Sequence, residues 1–287
     1  TVRKHLDDQP TVFPATSRGY TSDDGKAIFL LPAGIPFQQS QVYEFTYTAK
    51  NPAVAGIGLA AARDFVSFLR SATVSEGNPL AGGVQHTYSY SSSQPSRTLN
   101  DFQELGFNED LNGQRVFDGI LSHTGGGSED QINFRFAQTG RTERNRQNHL
   151  YLESVFPFAH QVLTNHLTGK TAGRSERGEA SGTTPNRFEV NTANEYWLKA
   201  CSLLHTDTQV NDLPDPDNLR YYLLSGLSIG VGDITEKGQG QQFTNAVSPH
   251  AAYRALLAAL GEWVTFGITP PESQVPRRSV DAALAVA

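Results

Sequence analysis

The sequence predicts an α/β fold, with a mostly parallel sheet and helices on both of its faces. Three observations predict it. Short β-favouring runs alternate with helical ones along the 287 residues, the pattern of strands joined by helical crossovers. The span from Val42 to Tyr90 reads strand, helix, strand, which is one parallel crossover unit of right-handed sense. The stretch from His86 to Leu105 reads strand, tight turn, helix, with serines at the turn. No internal repeat interrupts this order.

The elements follow in chain order. Thr1–Lys4, Thr11–Phe13 and Ala27–Leu31 are short β runs cut by Asp7-Asp8, Pro10 and Ser22-Asp23-Asp24-Gly25. Val42–Thr48 is the clearest strand, with Tyr43, Phe45 and Tyr47 alternating onto one face. Asn51 and Pro52 suit an N-cap and a first helical position, so a helix is expected from Val54 to about Arg70. Its apolar face would carry Ile57, Ala61, Phe65 and Phe68, and Gly56 and Gly58 would let it pack closely against a neighbour. Thr87, Tyr88 and Tyr90 form a strand, and Leu99, Phe102 and Leu105 share one face of the next helix. Val116–Leu121 reads as another strand, ending at His123-Thr124-Gly125-Gly126-Gly127. Residues 124–186 are polar and suit a lid or insertion at the sheet edge. Strand character returns at Arg187–Thr192, a helix starts at Glu195, and a strongly apolar strand spans Leu219–Leu227. A glycine-rich loop leads to a last helix over Ala251 to Trp263, apolar at Leu256, Leu257, Leu260 and Val264.

Composition narrows the function classes. Apolar residues make up 38%, mean hydropathy is -0.41 and net charge is -6. Binding nucleic acid needs a concentrated Lys/Arg surface, and the densest basic run, Arg141–Arg146, is interrupted by Thr142, Glu143 and Asn145. A nucleic-acid partner is therefore not expected. No apolar run approaches the ~18–20 residues of a membrane span, and no signal peptide heads the chain, so a membrane partner is not expected either. The single cysteine, Cys201, excludes an intrachain disulfide and a cysteine-rich metal site. The eight histidines show no H-x-x-x-H or H-E-x-x-H spacing, so a metal hydrolase is not expected; no cofactor is expected. The chain starts at Thr1 and contains no methionine, where roughly half a dozen would be usual.

The chemistry-bearing stretch is Ser91-Ser92-Ser93-Gln94-Pro95-Ser96-Arg97. Small residues between a strand and a helix suit a nucleophile elbow, in which a serine sits on a strained turn at the carboxyl edge of a sheet. They equally suit a serine-rich loop after a strand. As an elbow, the stretch makes Ser93 the nucleophile. Its weakly acidic hydroxyl then needs a base, and the base an acid to orient it.

With these pieces in place the chain resembles the α/β-hydrolase domain proteins of a bacterial group whose members carry a G-x-S-Q-S-G-R-x-L-R elbow. The likeness rests on Ser93-Gln94-Pro95-Ser96-Arg97, Gly106–Asp110, Arg115–Gly119, Phe134–Gln138, Phe156-Pro157-Phe158, Glu195-Tyr196-Trp197, Ser202–Asp207 and Arg254–Leu260, among other blocks in family order. It implies an α/β-hydrolase-like fold lacking N-terminal strands, and hydrolysis of a small-molecule carboxylic ester or amide through an acyl-enzyme. Ser93 matches the nucleophile, Glu195 the acid, and the amide of Gln94 the usual oxyanion donor. His123 matches a family histidine that would line the pocket. The family's base histidine falls where this chain has Ile229, so His250, ahead of the last helix, is the candidate base. His205 reads as structural. Ser91, Pro95 and Ser96 replace the family's Gly, Ser and Gly, and the turn expected to supply a second oxyanion donor lies in the missing N-terminal part. Two further expectations follow: a catalytically inactive homologue of the same fold, and a homo-oligomer formed through an open sheet edge.

Overall fold

The computed structural model describes all residues except 6–7, 15–18, 25–26, 45–47, 49, 52–53, 55, 131–153, 228, 239 and 282–287; of residues 19–21 and 281 it describes the backbone. The chain divides into two compact units, Thr1–Ala53 with Thr139–Leu150, and Val54–Gln138 with Tyr151–Ala287.

In the first unit β1 (Val2–Arg3) pairs antiparallel with β4 (Val42–Tyr43), and β2 (Gly19–Thr21) with β3 (Ile28–Leu30). Of the expected strand over Val42–Thr48, Val42–Tyr43 are strand; residues 45–47 lie outside the described residues. Tyr43 is held by side chains instead, stacked on Phe13 at 6.1 Å and edge-on to Phe37 at 4.9 Å. Arg3 pairs with Glu44 at 2.6 Å.

The second unit is built on four parallel strands in the order β10 (Leu219–Leu224), β9 (Asn186–Thr192), β6 (Gly119–His123), β5 (Tyr88–Ser92). Helices cover both faces, as the alternation of strands and helices predicts. On one face Leu121, Phe188, Val190 and Tyr222 pack against Tyr253, Leu260 and Trp263 of α5 (His250–Phe266). Phe188 stacks on Trp263 at 5.6 Å and meets Tyr222 edge-on at 5.4 Å. Fully burying side chains of this size stabilises by about 1.5–3 kcal/mol each. Gly119 permits the close approach, because a Cβ there would lie 2.7 Å from Tyr88 and 3.2 Å from Leu260.

On the opposite face lies α2 (Gln94–Glu104), which follows β5 directly. Its Phe102 packs with Val116 and with Leu59 of α1 (Ile57–Ser71). The α1 helix departs from the sequence reading. It begins after Gly56, whose φ of 76° breaks any earlier helix, and Ile57 and Phe65 of the expected inner face are exposed. Polar bonds turn it: Ser67 donates to Asp110, and Arg70 pairs with Asp118 at 2.8 Å. Nothing lies within 4 Å of a Cβ at Gly58, so that glycine serves no close packing.

The remaining elements are β7 (Leu163–Thr164) paired with β8 (Thr171–Ala172), α3 (Glu176–Ser181), α4 (Ala193–Leu198) and α6 (Arg278–Asp281). The helix expected to run on from Glu195 breaks at Lys199, and Cys201–Leu204 continue as a 3-10 turn. Among the described residues no helix is long and apolar enough to cross a membrane.

Candidate functional site

Because β5, β6, β9 and β10 are parallel, their carboxyl ends form one rim. Ser93 stands on it as the single residue between β5 and α2, with φ 65° and ψ -124°. A non-glycine residue in that region costs on the order of 1–3 kcal/mol and persists only where its surroundings over-determine it. Here they do. The Ser93 amide donates to the carbonyl of His123 at 2.8 Å and to Oγ1 of Thr124 at 3.1 Å. The Ser96 hydroxyl donates to the same His123 carbonyl at 2.8 Å, and the His123 amide donates back to Ser96 Oγ at 3.1 Å. Ser91 and Ser96, standing where the elbow pattern has glycines, are buried and contact each other through their hydroxyls at 2.9 Å.

Pro95 falls in the first turn of α2, where its missing N–H would have no helical acceptor. Gln94 opens the helix, and among the described residues its amide engages no acceptor. It therefore remains available to an oxyanion. Gly125 and Gly127 let the loop after β6 pass against α2 and the turn after α4: a Cβ at Gly125 would lie 2.9 Å from Ser96, and one at Gly127 2.8 Å from the carbonyl of Ala200.

The other sequence-derived residues have different surroundings, and among the described residues none of Glu195, His250, Ile229 and His205 bonds to Ser93. Glu195 is the third residue of α4 and is buried, 1% exposed. Its Oε2 accepts from the amide of Thr192 at 2.9 Å and from the Thr192 hydroxyl at 2.6 Å, which closes a capping box. Its other oxygen engages no donor among the described residues, and Glu195 lies close enough to help raise the Tyr253 phenol's pKa. His250 is the exposed first residue of α5, its ring centre 6.4 Å from that of Tyr253. Ile229 follows β10 and is 42% exposed. His205 is buried and bonded through Nε2 to the Tyr196 hydroxyl at 2.9 Å.

His123 ends β6 and is buried. Its Nδ1 lies 2.9 Å from Ser92 Oγ, and its Nε2 is hydrogen-bonded to the hydroxyl of Tyr253. Burial, with the nearby His250 and Lys199, pushes its pKa down to about 4, so the imidazole is neutral near pH 7. Ser92, Tyr253 and Thr124 escape the sequence reading. Alternation along β5 puts Ser92 on the side of Tyr88 and Tyr90, which was a usable signal; Tyr253 and Thr124 carry none. Among the described residues no cluster of three or more His, Cys, Asp or Glu is arranged for a metal ion. The Phe134–Gln138 block lies outside the described residues.

A strand, a serine at positive φ and a helix, set at the carboxyl edge of a parallel sheet, define an α/β protein with a nucleophile-elbow geometry. A family model described as "Alpha/beta hydrolase domain" matches residues 36–285, and the chain belongs to that family. No curated protein and no solved structure matches it.

Proposed function

We propose that this α/β-hydrolase domain is a serine hydrolase that cleaves a carboxylic ester or amide through an acyl-enzyme on Ser93. The observation that carries the reading is the backbone of Ser93, held at φ 65° and ψ -124° between β5 and α2. In this scheme the Ser93 hydroxyl attacks the substrate carbonyl and its proton passes to His250. The free Gln94 amide meets the oxyanion. Glu195 supplies the negative charge near the base. The proton then leaves on the alcohol or amine, and water repeats the sequence to release the acid. A fluorophosphonate probe is expected to label the folded chain at Ser93 and to leave Ser93→Ala unlabelled. A folded chain that takes no label disproves the scheme.

A second reading, an inactive homologue that keeps the fold, is favoured by two observations. Ile229 stands at the position where the family resemblance expects the base, and one oxygen of Glu195 is engaged in capping α4. Hydrolysis of a p-nitrophenyl ester by Ile229→His, with none by the parent chain, is the expected outcome on this reading. Turnover by the parent chain that depends on Ser93 eliminates it.

A further inference from the structure

Beside the nucleophile position stands a second hydroxyl with a chain of bonds behind it. Tyr253, in the first turn of α5, is 8% exposed, and among the described residues its hydroxyl has one partner, Nε2 of His123. A buried phenol needs an acceptor for its proton, and here Nε2 is that acceptor. The neutral imidazole then carries its own proton on Nδ1. From Nδ1 it donates to Ser92 Oγ, 2.9 Å away. The opposite tautomer would turn Ser92 into the donor and leave the Tyr253 proton without an acceptor among the described residues. In the favoured direction Ser92 accepts from His123, and its own hydrogen remains free. Ser92 is half-buried, adjoins Ser93, and makes no other side-chain bond among the described residues.

We propose that Ser92 is a substrate-binding donor of this site, its hydroxyl aligned by His123 and Tyr253 to hydrogen-bond an oxygen or nitrogen lone pair of the substrate on the α5 side of Ser93. This rests on the serine-hydrolase reading above. Tyr253 and His123 act through Ser92 and are positioning residues. Each bond in the row polarises the next, so the free hydrogen at its end is a stronger donor than an isolated serine. Ser92 thereby favours substrates that present an acceptor beside Ser93.

Two measurements test this. The first needs no activity. Nitrogen-15 NMR of histidine-labelled protein is expected to show His123 as the Nδ1–H tautomer, and Tyr253→Phe is expected to move the proton to Nε2. An Nε2–H tautomer in the parent chain overturns the proposal. The second is the rate of fluorophosphonate labelling. Ser92→Ala and Tyr253→Phe are each expected to slow it about tenfold, the loss of one net hydrogen bond, while the double variant is no slower than either single one. Ser92→Thr, which keeps a hydroxyl, is expected to recover part of the rate. Labelling of Ser92→Ala at the parent rate removes this proposal and leaves the hydrolase reading standing. A parent chain that takes no label removes both.

Discussion

The two faces of β9, inside the four-stranded sheet, are packed by opposite means. Toward α5, Leu121, Phe188 and Val190 meet Leu260 and Trp263 in an apolar core. On the other side Arg187, Glu189 and Asn191 of β9, with Ser122 of β6, are equally buried yet polar, flanked by the apolar Ile120, Leu219 and Tyr221 of the paired strands. Arg187 lies 2.7 Å from Glu189, and donates to Gln103 at 2.7 Å, to Ser122 at 3.0 Å and to Asn100. Gln103 donates to Ser175 at 2.8 Å, the Ser175 hydroxyl lies 3.0 Å from His160 Nδ1, and His160 Nε2 lies 3.3 Å from Glu189. Burial raises the Glu189 carboxyl, but Arg187 and His160 outweigh it and hold it below the usual range. The difference teaches how each face specifies structure. Apolar packing is non-directional and tolerates repacking, whereas a directional polar network admits one arrangement and exacts a large cost when a charged member is removed, the more so here because Arg187 Nε and Glu189 Oε2 are already buried without a partner among the described residues. The elbow helix, whose first turn must sit correctly beside Ser93, rests on the directional face.

The comparison breaks most sharply at Arg187. Arg187→Met is expected to destabilise by about 3–5 kcal/mol, because it leaves the Glu189 charge buried without its partner. Arg187→Met with Glu189→Met is expected to cost less than the single change. Urea unfolding measures both, and a double variant weaker than the single one would show that the network is not limited by that charge. On the other face Leu260→Ala is expected to cost about 2–4 kcal/mol by the same measurement, from lost transfer energy and a cavity.

A third side of α2 sharpens the contrast through pH. Burial, with Asp130 nearby, raises Asp101 to about 7, and burial with the neighbouring carboxylates raises Glu129 to about 8 against the pull of Arg174. For such raised carboxyls the stabilising contribution is full below about pH 4 and is lost as pH rises through 7 to 8. Asp101→Asn removes the group that would ionise, so its stability relative to the parent is expected to improve by on the order of 1–3 kcal/mol from pH 4 to pH 8. The histidines run the other way. His123, His160 and His205 are each pushed down to about 4, chiefly by burial. Their contribution is present above about pH 6.5 and is lost as pH falls toward 4. Thermal melts across this range separate the two: a difference between Asp101→Asn and parent that stays flat with pH would remove the carboxyl's part.

The smallest expected change in stability is at Glu195. Glutamine also closes a capping box, so Glu195→Gln is expected to shift stability by less than about 0.5 kcal/mol. If the carboxylate also serves the chemistry on Ser93, fluorophosphonate labelling falls by about a hundredfold or more; an unchanged rate assigns Glu195 to the cap alone.

Much of this was legible in the residues. The apolar run of β10 and the small residues around Ser93 locate the sheet and its turn. What was not legible has physical causes. The strict alternation Arg187-Phe188-Glu189-Val190-Asn191 has the period of a strand wetted on one side, yet both sides are buried, because periodicity reports two faces and is silent on what covers them. The apolar stripe Ile57, Ala61, Phe65 predicts the inner face of α1, but Ser67 and Arg70 find carboxylate partners and turn it outward. Glu195 matches the family acid by position, while its bonds to Thr192 depend on a strand ending one residue before a helix begins.

The sequence by itself determined the α/β class, the serine at the strand-to-helix turn and the family, since local propensity, spacing and motif order are carried along the chain. Only the tertiary structure decided that Ser93 takes positive φ, that Ser92 is joined through His123 to Tyr253, and that ions lie beneath α2. Each of those depends on groups far apart in the chain meeting at bonding distance, and no local pattern encodes such a meeting.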